Sequence, residues 1–194
     1  MKRVIVALIL ALATGLLFAA GLPIVLSGGT SVGGDTDIQV GGTDNSGAEV
    51  QGGASLWAWA GFFVNPYLAL GPIVSLKSSS DSYTASTYAS SSSDDSIGVK
   101  VLFALGPGWK FRPFLAGTLG ISFWSGSSTD ASGNVSTYSG QGTYVTLSGG
   151  AWWMLADKVA LSAEPFVSYF TDTDAGSTWT DVNVGGDIGF LVFL

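Results

Sequence analysis

Beyond its first 26 residues the chain alternates large apolar residues with small or polar ones at period two, in segment after segment. From Arg112 to Phe123 one face reads Pro113, Leu115, Gly117, Leu119, Ile121, Phe123, and the other Arg112, Phe114, Ala116, Thr118, Gly120, Ser122. Tyr67 to Lys77, Ile97 to Leu105, Thr143 to Trp153, Lys158 to Phe170 and Val182 to Leu194 repeat the pattern. Two earlier segments carry it less clearly: Gly28 to Val40, and the aromatic-rich stretch Ser55 to Val64. Period two means strands, because successive side chains of a strand point to opposite faces. Eight such segments, most near the roughly 9–11 residues that a tilted strand needs to cross a bilayer, are more than coincidence supplies.

Which face is buried follows from composition. Charged residues make up 11% of the chain and hydrophobic ones 47%, too few charges to coat an ordinary soluble domain. Yet no stretch after residue 26 has the roughly 20 apolar residues of a spanning helix. A small soluble barrel turns its large apolar side chains inward. Here the second face is mostly Gly, Ala, Ser and Thr with a few ionisable groups, which suits the narrow interior of a closed eight-stranded barrel. Small and polar inside with large and apolar outside is the inverted pattern of a transmembrane barrel. The expected fold is therefore all-β: an eight-stranded antiparallel up-and-down transmembrane β-barrel.

The connections point the same way. Tight turns are expected at Asn65-Pro66, Gly106-Pro107-Gly108 and Ala156-Asp157. Between them lie a Gly-, Thr- and Asp-rich stretch before Ser55 and the polar segments Ser78–Ser96, Ser125–Ser139 and Thr171–Asp181. Long and short connections alternate, as they do in outer-membrane barrels with short periplasmic turns and longer external loops. Pro72, Pro113 and Pro165 fall on the outer face inside strands and are expected near strand ends or bulges, since Pro removes a ladder bond. Phe62, Phe63, Tyr67, Trp109, Phe111, Trp152 and Trp153 flank the short turns. Trp124, Tyr138, Tyr169, Phe170 and Trp179 flank the long connections. Two interfacial girdles are the expectation, with Trp57 and Trp59 as candidates to point inward.

The N-terminus has the order of a secretory signal peptide: Lys2 and Arg3, the apolar run Val4 to Phe18, then Ala19, Ala20 and Gly21. Cleavage after Gly21 divides the chain into a signal peptide, 1–21, and a barrel domain, 22–194; an uncleaved anchor helix is the alternative. The mature chain would keep five basic and 14 acidic residues, a net charge of 5 − 14 = −9, which argues against nucleic-acid binding.

Several chemistries are excluded outright. With no Cys and no His there is no disulfide, thiol nucleophile, thiolate or imidazole metal site, and no Ser-His-Asp triad. Asp172-x-Asp174-x-Gly176 lacks the acidic twelfth position of a calcium loop, which here is Asn183. Gly28-Gly29-x-x-x-Gly33-Gly34 has no Lys in phosphate-loop spacing. The chain is expected to be no enzyme and to hold no cofactor or metal. Lys100, Arg112, Glu164 and Asp187 fall on the interior face. In a narrow lumen ionised groups must be paired or hydrated, and the planar fork of Arg112 suits Glu164 or Asp187. A structural ion-pair network filling the lumen is the expectation; a gate or a narrow path for small solutes is the alternative.

The segment Gly61-Phe62-Phe63-Val64-Asn65-Pro66-Tyr67-Leu68-Ala69-Leu70-Gly71 resembles the second-to-third-strand hairpin of small outer-membrane barrels of the OmpA/OmpX-like superfamily. The C-terminus, Asp187-Ile188-Gly189-Phe190-Leu191-Val192-Phe193-Leu194, is similar to the signal read by the barrel-assembly machinery, with Asp187, Gly189, Val192 and Leu194 at its positions and Leu194 where Phe is commonest. The resemblance implies the outer membrane of a Gram-negative bacterium, contact with its lipid and lipopolysaccharide, that machinery as a partner in biogenesis, and a monomer. It implies a structural or surface-exposed role and no particular ligand. A surface adhesin acting through its Ser- and Asp-rich loops and a soluble lipocalin-like binding barrel are the alternatives.

Overall fold

A computed structural model describes residues 23–31, 35–36, 50–51, 53–83, 88–106, 110–129, 132–174 and 177–194. Eight of its strands form a closed antiparallel barrel. In chain order they are β1 (Ile24–Ser31), β2 (Gly53–Asn65), β3 (Leu68–Tyr83), β4 (Tyr88–Ala104), β5 (Phe111–Thr129), β6 (Val135–Ala156), β7 (Val159–Asp174) and β8 (Ser177–Phe193). Each strand pairs with its sequence neighbours, and β1 closes the ring against β8, from Val25 opposite Phe193 to Ser31 opposite Asp187. Closure leaves no sheet edge along the barrel wall, so every ladder group there can be satisfied without water. Asp35–Thr36 and Val50–Gln51 form a separate two-residue ladder outside the ring. The expected signal peptide lies outside the described residues.

The facing is the inverted one. Leu119 and Leu147 are 63% and 67% exposed, and Val101 is 45% exposed. Phe111, Leu115, Val145, Trp153, Val167, Val184, Ile188 and Phe190 are also exposed on the outer surface. On β5 this apolar surface runs from Phe111 to Phe123, the outward apolar band characteristic of a transmembrane barrel.

The short turns fall where Asn and Gly place them. Asn65 Oδ1 accepts the backbone N–H groups of Tyr67 and Leu68, both at 2.9 Å, an Asx-type turn that reverses β2 into β3. Gly106 takes φ +104° after β4, a backbone conformation that costs Gly nothing; Pro107 and Gly108 of that turn lie outside the described residues. The prolines sit where the ladder is interrupted or ends. The β2–β3 pairing skips the positions of Gly71 and Pro72, the β6–β7 pairing skips Glu164 and Pro165, and Pro113 lies one step past the last β4–β5 pair. The gap at Gly71 is used: its carbonyl accepts the Trp59 indole N–H at 3.2 Å.

Three expectations need correction. The first strand starts at Ile24 and ends at Ser31, not at Gly28 and Val40; Ile24, Val25 and Leu26 continue the preceding apolar run, which hides the start of the strand. Val32, Ile38 and Val40 lie outside the described residues. The long connections are largely strand: β5 and β6 run for 19 and 22 residues, about twice what a membrane crossing requires. Ser78–Ser96 and Ser125–Ser139 pair in regular register except at the hairpin tips. Both faces are polar there, so no alternation reveals the strand, yet the backbone ladder continues.

The third correction concerns the girdles. Tyr67, Phe111 and Trp153 point outward near the short turns, and Phe123 and Tyr169 near the other end. Trp152 and Phe63 instead belong to the interior cluster, and Trp57 and Trp59 are buried inward as well. Trp109 lies outside the described residues.

Candidate functional site

The lumen is built in layers, each a row of inward residues at matching height. Nearest the short turns is an aromatic floor. Phe114 packs on Trp152 with ring centroids 5.4 Å apart, Trp152 meets Phe193 edge-on at 5.6 Å, and Phe63 contacts both Trp152 and Phe193. Val25, Ala69, Leu102, Ala104, Ala160 and Leu191 fill the space between these rings and are all but inaccessible. Trp152 is 1% exposed.

Above it lies the ionic layer. Lys100 on β4 reaches Glu164 on β7, three strands away around the ring. Its Nζ donates to Glu164 Oε1 at 2.5 Å and to Oε2 at 2.7 Å, and both side chains are 6% exposed. Ser148 Oγ donates to the same Oε1 at 2.5 Å. The ammonium also stands 5.6 Å from the Trp57 ring and 5.8 Å from the Trp59 ring, within cation–π range. Two oxygens and two ring faces thus replace the water that a buried ammonium loses. Asp187 stands beside Glu164 in register and accepts Ser31 Oγ at 2.5 Å.

Of the four ionisable residues expected in one network, Lys100 and Glu164 are paired directly, and Asp187 adjoins them. Arg112 does not join them. It lies one step below the floor, its guanidinium 5.6 Å from the Trp152 ring, with Nη2 donating to the Pro66 carbonyl in the first short turn. The reason is positional: Arg112 immediately follows the start of β5 and lies opposite Trp152, so the aromatic layer separates it from Glu164. Lys158 is exposed in the last short turn, and Lys77 lies opposite Asp94 toward the far end.

Towards the long-loop end the lumen is polar. Thr146 and Ser168 share a hydrogen bond at 2.8 Å, and Ser122 donates to Asp94. Tyr144 lies across Gly98 and Gly120: a Cβ at Gly98 would stand 2.7 Å from its hydroxyl, and one at Gly120 2.6 Å from its ring. Among the described residues no group of three acidic side chains is placed to hold a metal ion.

Sequence reasoning offers Trp57 and Trp59 as inward residues, where they lie, but does not assign Ser148, Ser31 or the floor aromatics to this arrangement. The signal for the floor is parity: Phe114 and Trp152 share the small-residue face of their strands. The C-terminal residues are split between the faces. Asp187 and Gly189 point into the lumen, Val192 and Leu194 are exposed outside, and the Leu194 N–H donates to the Ile24 carbonyl at 2.9 Å.

No protein-family model and no curated protein matches the sequence. Solved structures do match. Neisserial surface protein A is 15% identical, with a TM-score of 0.60 over 87% of this chain and 96% of its own. A major outer membrane protein from Thermus thermophilus is 14% identical, with a TM-score of 0.56 over 89% and 98%. Ail, the attachment invasion locus protein of Yersinia pestis, is 13% identical, with a TM-score of 0.55 over 89% and 97%. The fold shared with these structures is the closed eight-stranded antiparallel barrel of small outer-membrane proteins. At such low identity the likeness concerns architecture alone, and the lumen of this small barrel must be read from its own residues.

Proposed function

We propose that the protein is an integral outer-membrane barrel of a Gram-negative envelope that acts as a closed, surface-exposed scaffold and not as an enzyme or a pore. The observation that carries this is the floor of Phe63, Phe114, Trp152 and Phe193, topped by the Lys100–Glu164 bridge. A solute entering from the long-loop end meets a buried ion pair and then a dry aromatic layer. Passage would require breaking both, which opposes the alternative of a path for small solutes. The outward apolar band equally opposes a soluble lipocalin-like barrel, since no water-soluble monomer leaves so large a surface uncovered.

In this account residues 1–21 direct export and residues 22–194 form the barrel. The C-terminal pattern at Asp187, Gly189, Val192 and Leu194 engages the assembly machinery, and the barrel stands as a monomer among lipid and lipopolysaccharide. An adhesin role is the second reading, favoured by the lengths of β5 and β6, which lift their hairpin far above the apolar band. Planar-bilayer recording tests the scaffold: folded protein should insert without discrete currents, while steady unitary currents from the wild-type chain would refute the closed lumen. Deleting the tip between Thr129 and Val135 should leave the barrel folded, and loss of cell attachment in that variant would establish the adhesin.

A further inference from the structure

The barrel wall is uneven in height. β2 stays paired with β3 only as far as Gly53 opposite Ser79, and β7 with β6 only as far as Asp172 opposite Gly142. Among the described residues, β3–β6 alone continue beyond those rows, to Tyr83 opposite Tyr88 and Thr129 opposite Val135. They form a four-stranded sheet whose two outer strands lack a neighbour. On β6 the free edge runs from Val135 to Gln141, because β7 turns back at Asp174 to pair with β8.

Unpaired N–H and C=O groups along a strand invite another strand, and natural edges are blunted by a charge, a proline or a bulge. Val135-Ser136-Thr137-Tyr138-Ser139-Gly140-Gln141 has no charge and no Pro, and its pairing with β5 runs without a register shift. All of these residues except Gly140 are exposed, Val135 at 64%. The nearby rings are taken up by the inner face between β5 and β6. A Cβ at Gly126 would stand 2.4 Å from the Tyr138 ring and one at Gly140 2.1 Å from the Trp124 ring, and the two rings are 6.0 Å apart. They brace the hairpin and add no side chain to the outer face of the edge. The opposite edge, on β3, differs: it is only Ser80–Tyr83 and includes Asp81.

We propose that this edge of β6 pairs antiparallel with the same edge of a second copy of the chain held in an apposed membrane. The segment is self-complementary. Centred on Tyr138, it pairs Val135 with Gln141, Ser136 with Gly140 and Thr137 with Ser139, which opposes no like charges and sets hydroxyl residues side by side, a favourable cross-strand pairing. Symmetry selects the arrangement. Two equivalent antiparallel strands in one sheet are related by a two-fold axis normal to that sheet. The normal to a barrel wall lies near the membrane plane, so this axis inverts the membrane normal and places the two copies in facing membranes. Copies in one membrane point the same way and cannot build an antiparallel ladder from this edge. One such ladder is short, so cohesion comes from many copies engaging at once, and each barrel stays a monomer within its own membrane. The proposal rests on the adhesin reading above and names its partner as the chain itself.

The test uses the whole barrel in phosphatidylcholine nanodiscs, one barrel per disc, so that every contact is one between membranes. The chain has no Cys, and discs carrying T137C are mixed with discs carrying S139C under mild oxidation. In the proposed register these positions are opposite, with Cα atoms about 4.5–5.5 Å apart, within disulfide reach. A disulfide dimer is expected from this mixture and not from T137C with S125C, one strand in from the edge. Two differently stained bacterial cultures that display the chain should form mixed clusters. T137K combined with S139K should reduce these to the level of cells without the protein, and S125K should leave them unchanged. No dimer from T137C with S139C, an equal dimer with S125C, or clusters that survive the two lysines overturns the proposal. So does equal clustering of displaying with non-displaying cells. Attachment to other surfaces without self-clustering overturns the self-pairing and leaves the adhesin reading standing. Heat-modifiable mobility on detergent gels, measured in parallel, reports folding of each variant and separates failure of the edge from failure of the barrel.

Discussion

Replacing Lys100 with Met should be among the most destabilising single changes in the lumen. At an Nζ–Oε1 distance of 2.5 Å, the attraction is about 7 kcal/mol at an effective dielectric constant of about 20. Desolvation of two groups that are 6% exposed offsets several kcal/mol for each ion. The net worth of the intact pair is therefore small, but removing one partner leaves the Glu164 carboxylate buried with Ser148 as its remaining donor. Such a half-pair costs about 3–5 kcal/mol, a shift of roughly two to three and a half powers of ten in the unfolding equilibrium. Equilibrium urea unfolding of the barrel in lipid vesicles, followed by tryptophan fluorescence, measures it. The paired replacement K100M with E164M should recover most of the loss, because an apolar pair of similar volume needs no desolvation. A loss under about 1 kcal/mol for K100M, the range of a solvated surface pair, would refute the reasoning. So would a double variant no more stable than the single one.

Other expectations concern the layers around the pair. F114A should cost about 3–5 kcal/mol by opening a cavity in the floor, read in the same unfolding assay, and W152A should introduce ionic current in planar bilayers where the wild type shows none. L119R, in the middle of the exposed band, should destabilise the vesicle-embedded barrel by about 2–4 kcal/mol, whereas the same charge at Ser139, above the band, should cost little. A Cβ at Gly185 would stand 2.7 Å from the Phe166 ring, so G185A should cost about 1–3 kcal/mol and F166L should relieve it, as the double-mutant cycle will report.

The barrel is legible in the sequence because hydrocarbon imposes a strict alternation: from Leu115 to Phe123 every second residue is large or glycine, and the structure turns those residues outward. The ladder above the membrane is not, because Ser91, Ser93, Ser125 and Ser127 meet water on one face and a polar lumen on the other, and no apolar contrast marks them as strand. The lumen is partly legible. Parity places Lys100 and Glu164 on the interior face, but parity alone does not give height around a sheared ring, so it groups Arg112 with residues from which Trp152 separates it. Composition does not reveal the floor, because aromatics near strand ends suit either a girdle or a plug; only parity, which puts Phe114 and Trp152 on the small-residue face, separates the two.

The central claim is that the large side chains face hydrocarbon and the small ones the lumen. The chain has no Cys, so single cysteine substitutions at each position from Leu115 to Ile121 can carry a nitroxide in vesicle-embedded protein. Collision with oxygen, which concentrates in lipid, should peak at Leu115, Gly117, Leu119 and Ile121 and fall at Ala116, Thr118 and Gly120. A flat profile, or one with its maxima at the even positions, would contradict the account.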